Sequence, residues 1–83
     1  MAENDLLRIM PNPADKYLYV EMGMQGNYEF DLLNATGQVV AKTETRQVDI
    51  FDTESLSSGI YFIRVIDLTT EAEVATKKVV LAH

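Results

Sequence analysis

The chain has 83 residues, 47% of them hydrophobic, with no cysteine, one histidine and a formal net charge of −6. This length allows one small domain, and the lack of cysteine excludes a disulfide framework or a cysteine-ligated metal. The excess of 13 acidic over 7 basic residues argues against nucleic acid as a partner. The first residues are acidic and polar, unlike a signal peptide, so we expect a cytosolic protein or a piece of a longer exported one.

Apolar residues recur with a period of about two, which is typical of half-buried strands. The first predicted strand, around residues 7–10, ends at Pro11-Asn12-Pro13, because proline removes a backbone donor. Six more predicted strands follow, around residues 16–22, 27–33, 38–43, 47–51, 60–67 and 74–81. Their number and short spacing predict an all-β fold, a seven-stranded antiparallel immunoglobulin-like β-sandwich. In the fifth strand, we expect Val48 and Ile50 to face the core.

Two connections carry turn signals. Asn34-Ala35-Thr36-Gly37 predicts a hairpin in which Asn34 opens the turn and Gly37 takes the left-handed conformation. In Leu56-x-x-Gly59-x-Tyr61, the tyrosine lies just after a corner, where immunoglobulin-like sandwiches place a tyrosine bonded to upstream backbone. We expect Gly59 to allow the tight backbone and Leu56 to plug the open end of the sandwich.

Residues suited to catalysis are scarce, so we expect no catalytic site and no cofactor. The single histidine, His83, is the last residue, where a solvated end is more common than a base. Asp49, Asp52 and Glu54 are close enough in sequence to suggest calcium or paired-carboxylate hydrolysis, but they lack calcium-loop spacing. We interpret them as solvated acids and predict no metal site.

Aromatic residues leave a binding alternative open. Tyr17 and Tyr19 share a strand face, and Phe51 and Phe62 could also be exposed, so a flat aromatic patch could stack on sugar rings. This pattern would suit a fibronectin-type or carbohydrate-binding-type β-sandwich module appended to a secreted enzyme. The interpretation we favour is that these aromatic side chains cover the second face of a thin sandwich.

The adjacent pair Lys77-Lys78 lies in a neutral part of the chain. Residues 1–54 carry ten acidic and four basic side chains, whereas residues 55–83 carry three of each. Neighbouring strand residues point to opposite faces, so one lysine should point toward the core and the other toward solvent. Spacing alone favours protection of a sheet edge against aggregation over a basic recognition element.

Four blocks of the sequence together resemble one family. The blocks are Ile9-Met10-Pro11-Asn12-Pro13-Ala14, Asn34-x-x-Gly37-x-Val39-Val40, Leu56-Ser57-Ser58-Gly59-Ile60-Tyr61-Phe62-Ile63-Arg64-Val65 and Lys77-Lys78-Val79-Val80. In this order they are similar to the C-terminal sorting domain of the Por, or type IX, secretion system of Bacteroidota-type bacteria. One departure is the stretch from Ile50 to Leu56, which is one residue longer than is usual in that family.

The resemblance implies a non-catalytic C-terminal signal that directs an N-terminal passenger across the outer membrane. The passenger would pass through the periplasm and finish at the outer membrane, at the cell surface or outside the cell. The implied partners are the outer-membrane machinery and its sortase-like cysteine protease, which usually removes the domain.

The resemblance also assigns roles to residues. Residues 1–83 would form a single sorting domain with its core at about 6–81. Recognition would fall on Lys77, Lys78, Val79 and Val80. The other motif positions would be mainly structural: Pro11, Asn12, Pro13, Asn34, Gly37, Leu56, Gly59 and Tyr61.

Overall fold

A computed structural model describes residues 6–83 and shows seven strands. These are β1 (Leu7–Met10), β2 (Tyr17–Met22), β3 (Tyr28–Asn34), β4 (Val39–Thr45), β5 (Val48–Asp52), β6 (Gly59–Asp67) and β7 (Ala72–Leu81). All paired strands are antiparallel and form a three-stranded sheet, β1-β2-β5, and a four-stranded sheet, β4-β3-β6-β7. The predicted all-β, two-sheet fold is confirmed. Among residues 6–83, no helix is long and apolar enough to span a bilayer.

The core lies between the two sheets and is built by the period-two pattern. Leu18, Val20 and Met22 on β2 are at most 1% exposed, as their spacing predicts. The other buried core residues are Leu7, Ala14, Tyr28, Phe30, Leu32, Phe51, Tyr61, Ile63, Val65, Val79 and Leu81.

The edges of the sandwich are joined by side chains that cross from one sheet to the other. At one margin, Thr43 of β4 donates from Oγ1 to Asp49 Oδ2 of β5 at 2.7 Å. At the opposite margin, Lys77 of β7 donates from Nζ to the carbonyl oxygen of Leu7 in β1 at 3.0 Å. These bonds join the two sheets at their margins.

The prediction that Val48 and Ile50 face the core is wrong. Both are on the outer face of β5, 42% and 58% exposed. The register with β2 is the reason: Phe51 lies opposite inward-pointing Leu18 and is buried, so its neighbour Ile50 points outward. The possible exposure of Phe51 is therefore also wrong, whereas Phe62 on β6 is half-buried.

Both predicted turn motifs have local hydrogen bonds. The Asn34 side-chain Oδ1 accepts from the Thr36 and Gln38 amides at 3.1 and 2.9 Å, and Gly37 has a φ of 91°. The Tyr61 hydroxyl donates to the Ser57 carbonyl oxygen at 2.8 Å, which is the upstream bond that the corner motif predicts.

Candidate recognition edge along β7

Strand β7 forms one edge of the four-stranded sheet. It pairs with β6 from Gly59↔Leu81 to Asp67↔Ala72, with an irregularity in register near Val65 and Ile66. At a sheet edge, every second residue of the strand turns its N–H and C=O away from the sheet. The neighbours of β7 therefore decide how much of this edge a partner could reach.

The segment Pro11–Ala14, here called the strap, covers the C-terminal end of β7. The Ala14 amide donates to the Val80 carbonyl at 2.8 Å, and the Ala82 amide donates to the Ala14 carbonyl at 2.7 Å. Asn12 adds a third bond, because its Oδ1 accepts from the Val80 amide at 3.1 Å. The proline-containing motif thus holds the last strand by its backbone.

These bonds also show which residues of β7 turn their backbone N–H and C=O groups away from β6. Both the N–H and the C=O of Val80 point toward the strap, so they point away from β6. The pairing has no irregularity between Val80 and Thr76, so the same groups of Lys78 and Thr76 also point away from β6. Within residues 6–83 no strand pairs with this stretch, which we call the open edge (residues 76–78).

The two lysines lie on opposite faces, as expected, and have different surroundings. Lys77 is on the inner face opposite Ile63 and is half-buried, with its ammonium bonded to the Leu7 carbonyl. Lys78 is on the outer face opposite Phe62 and is exposed. Among residues 6–83, Lys78 has no ion pair.

The two valines of the same motif also differ. Val79 is fully buried in the core, where it lies opposite Tyr61, and Val80 is half-buried on the outer face opposite Ile60. In the folded domain, a partner can therefore contact Lys78 and the outer face of Val80. Val79 contributes to the stability of the fold instead.

His83 is exposed, as expected for the last residue, and its side chain bonds with both of its ring nitrogens. Nδ1 lies 2.8 Å from Asp15 Oδ1, and Nε2 lies 2.7 Å from the Leu56 carbonyl oxygen. The bonds to Asp15 and then to Leu56 raise the pKa of His83, since both favour the protonated ring. The backbone amide of His83 also donates to Ser58 Oγ, at 3.1 Å.

A buried ion pair on the outer face of the four-stranded sheet was not anticipated from the sequence. Asp31 is 1% exposed, and its Oδ2 accepts from Arg64 NH2 at 2.9 Å and from Nε at 3.3 Å. Its other oxygen, Oδ1, has no partner among the described residues. The neighbouring Asp31 carboxylate raises the pKa of Glu29, two residues earlier on the same face. The signal available in the sequence is two acids at i and i+2, but their burial depends on the register with Lys42 and Arg64.

The acidic residues considered for calcium have local partners. Asp49 accepts from Thr43 and from the Ile50 amide, and Asp52 accepts from the Glu54 amide at 3.0 Å. In the described part of the chain, no group of three or more His, Cys, Asp or Glu side chains is arranged to hold a metal ion.

The outer face of the three-stranded sheet carries the aromatic pair. Tyr17 is 51% exposed and Tyr19 is half-buried, and Tyr19 lies between Met10 and Ile50 in the register. The result is an exposed apolar face on which the two tyrosines are neighbours.

The fold and the C-terminal edge define a small immunoglobulin-like sandwich whose last strand is held by a proline-containing strap and carries a lysine with no ion pair among residues 6–83. A family model for the secretion system C-terminal sorting domain matches residues 8–82. The chain therefore belongs to this family, as its four sequence blocks suggest. No curated protein matches the chain.

Membership gives the domain its general role. It is a C-terminal sorting signal of type IX secretion, of a family that is generally non-catalytic. Such a signal interacts with that secretion system and is attached to an N-terminal passenger. The passenger's destination is the outer membrane, the cell surface or the outside of the cell.

Proposed function

We propose that the outer-membrane machinery recognises this domain through β7, with Lys77, Lys78, Val79 and Val80 as the signal. The observation that carries the proposal is the position of this motif on an edge strand, with Lys78 exposed and unpaired within residues 6–83. Lys77 and Val79 act from inside, by holding β7 against β1 and the core. Lys78 and Val80 present the surface that the machinery contacts.

We further propose that the passenger crosses the periplasm before recognition and that a sortase-like cysteine protease then removes the domain. Residues 1–83 act as a single sorting unit, with the core at about 6–81. Pro11, Asn12, Pro13, Asn34, Gly37, Leu56, Gly59 and Tyr61 contribute chiefly by holding the fold. The bonds of Asn12, Asn34 and Tyr61 support this division.

The test is export of a reporter. Residues 1–83 are fused behind a signal peptide and a reporter, in a bacterium that has the type IX system. We expect the reporter at the cell surface or in the medium, shortened by the mass of the domain. Retention of the reporter in the periplasm would contradict the sorting role, and export at full length would contradict removal.

Point variants separate recognition from folding better than truncation does. Deleting residues 77–83 would remove the buried Val79 and Leu81, so lost export could reflect unfolding. Lys78→Ser changes an exposed side chain, and Lys16→Ser is a matched control at another exposed lysine. We expect export to fall with Lys78→Ser and to persist with Lys16→Ser.

A binding module is the second candidate, favoured by the exposed Tyr17 beside Tyr19. In this case, the outer face of the three-stranded sheet would stack on sugar rings. A glycan array probed with the domain and with its Tyr17→Ala variant tests the idea. A signal that Tyr17→Ala removes would support it, and the absence of any signal would refute it.

A further inference from the structure

Side-chain hydrogen bonds join both outer edges of the four-stranded sheet to the other sheet, at β7 through Lys77 and Leu7. The margin of β4 lies against β5, to which Thr43 and Thr45 donate at 2.7 and 2.6 Å. At β7, the strap ends its bonding at Val80, and the outward N–H and C=O of Thr76 and Lys78 face no strand within residues 6–83. Unpaired backbone of this kind accepts an added strand.

The charges around the open edge indicate what kind of strand would add. Lys77 and Lys78 place an ammonium on each face of this edge, whereas residues 1–54 carry an excess of six acidic side chains. The Glu73 carboxylate lies at the other end of the edge, where its Oε2 accepts from Thr76 Oγ1 at 2.7 Å, so the positive charge is at the end next to the strap. An acidic segment is therefore repelled by most of the domain and attracted to this place. The Lys77 ammonium is engaged by Leu7, so Lys78 is the cation that a partner's carboxylate can reach.

We propose that an extended acidic segment of a partner protein adds to the open edge as a fifth strand of this sheet. The added strand can form four backbone hydrogen bonds, with the N–H and C=O groups of Thr76 and of Lys78. The Lys78 ammonium pairs with a carboxylate of the added strand. The strap sets the register of the added strand. The Val80 carbonyl already accepts from the Ala14 amide, so the added strand must end before Val80. This inference rests on the proposed function, since it describes how the sorting partner binds β7.

Proline scanning of β7 tests the strand addition directly. The Thr76 N–H points away from β6, so Thr76→Pro removes a donor that the added strand needs and keeps the ladder with β6. The Lys77 N–H points toward β6, so Lys77→Pro breaks the ladder and is the destabilised control. We expect Thr76→Pro to melt well above Lys77→Pro and yet to block reporter export.

Lys78→Glu tests the role of the Lys78 positive charge and leaves the backbone donors unchanged. This variant also keeps the proposal testable if Thr76→Pro fails to fold. Lys16→Glu makes the same change of charge at another exposed lysine. In vitro, the probe is a synthetic peptide of alternating Glu and Val, with an alternating Lys and Val peptide as its counterpart. Binding should slow hydrogen exchange at the Thr76 and Lys78 amides, and Lys78→Glu should weaken it about tenfold.

The outcomes separate this inference from the sorting role. If the unmodified fusion is exported and both Thr76→Pro and Lys78→Glu are exported equally well, strand addition is wrong and the sorting role stands. If the unmodified fusion stays in the periplasm, the sorting role itself fails. Absence of amide protection by the Glu/Val peptide, or equal protection by the Lys/Val peptide, would overturn an acidic strand as the partner.

Discussion

The pair Asp31–Arg64 gives the sharpest test of the energetics of this fold. Asp31 is 1% exposed, and both of its hydrogen bonds come from Arg64 through the single oxygen Oδ2. Arg64→Met would keep a side chain of similar length but leave a buried carboxylate without its partner. Loss of one partner of a buried ion pair costs about 3–5 kcal/mol. The Arg64 side chain is 32% exposed, so water can reach the vacated place, and we expect the lower end, about 3 kcal/mol.

That loss is large for a domain of this size. At about 0.05–0.15 kcal/mol per residue, the whole domain is stable by only about 4–12 kcal/mol. One kcal/mol corresponds to about 4–8 °C in the melting temperature of a small domain, so Arg64→Met should melt about 12–24 °C below the parent chain.

The two partners should respond unequally. Asp31→Leu leaves a guanidinium that can turn toward water, so it should cost about 1 kcal/mol. The double variant, Asp31→Leu with Arg64→Met, removes both charges and should lie within about 1–2 kcal/mol of the parent, because apolar replacement of a buried pair is often neutral.

Urea denaturation followed by circular dichroism measures all four free energies of unfolding, since the chain has no tryptophan for fluorescence. A double variant as unstable as Arg64→Met would refute the reasoning, because the loss would then come from packing and not from an unpaired charge. Equal costs for the two single variants would refute the expected asymmetry.

Three further predictions follow from single contacts. Tyr61→Phe removes the hydroxyl bond to Ser57 and should lower the free energy of unfolding, measured by urea denaturation, by about 1 kcal/mol. The control Tyr17→Phe, at an exposed tyrosine, should lower it by nothing measurable. Equal losses of stability would contradict the corner bond. Gly37→Ala places a side chain at a φ of 91° and should cost about 1–2 kcal/mol, although space is open there; an unchanged melting temperature would show that the turn can relax. The pKa of His83 is raised above 6.5 in the fold by Asp15 and Leu56, so its stabilising effect is complete below that pH and is lost as the pH rises through the higher folded value. The difference in melting temperature between the parent and His83→Ala should therefore shrink at alkaline pH. A difference that grows with pH would contradict a raised pKa of His83 in the folded state.

Much of the candidate site follows from local sequence, because its parts are short-range. The strap depends on two prolines that cannot continue a strand, and the Tyr61 bond spans four residues. The alternation of Lys77 and Lys78 follows from the pleat of a single strand. The functional difference between the two lysines does not, because the partner of Lys77 is Leu7, 70 residues earlier in the chain.

The sequence by itself determined the strands, most of the inward-facing residues, the turn at Asn34 and the family, since each depends on residues close together in the chain or on a pattern of motifs. The tertiary structure alone decided which face of β5 is buried, because that face depends on the register of Phe51 against Leu18. It also decided that Asp31 is buried beneath Arg64 and that His83 is bonded to Asp15 and Leu56. These contacts join residues 27 to 68 positions apart, and only the register of paired strands and the tertiary placement of the C-terminal end bring such residues together.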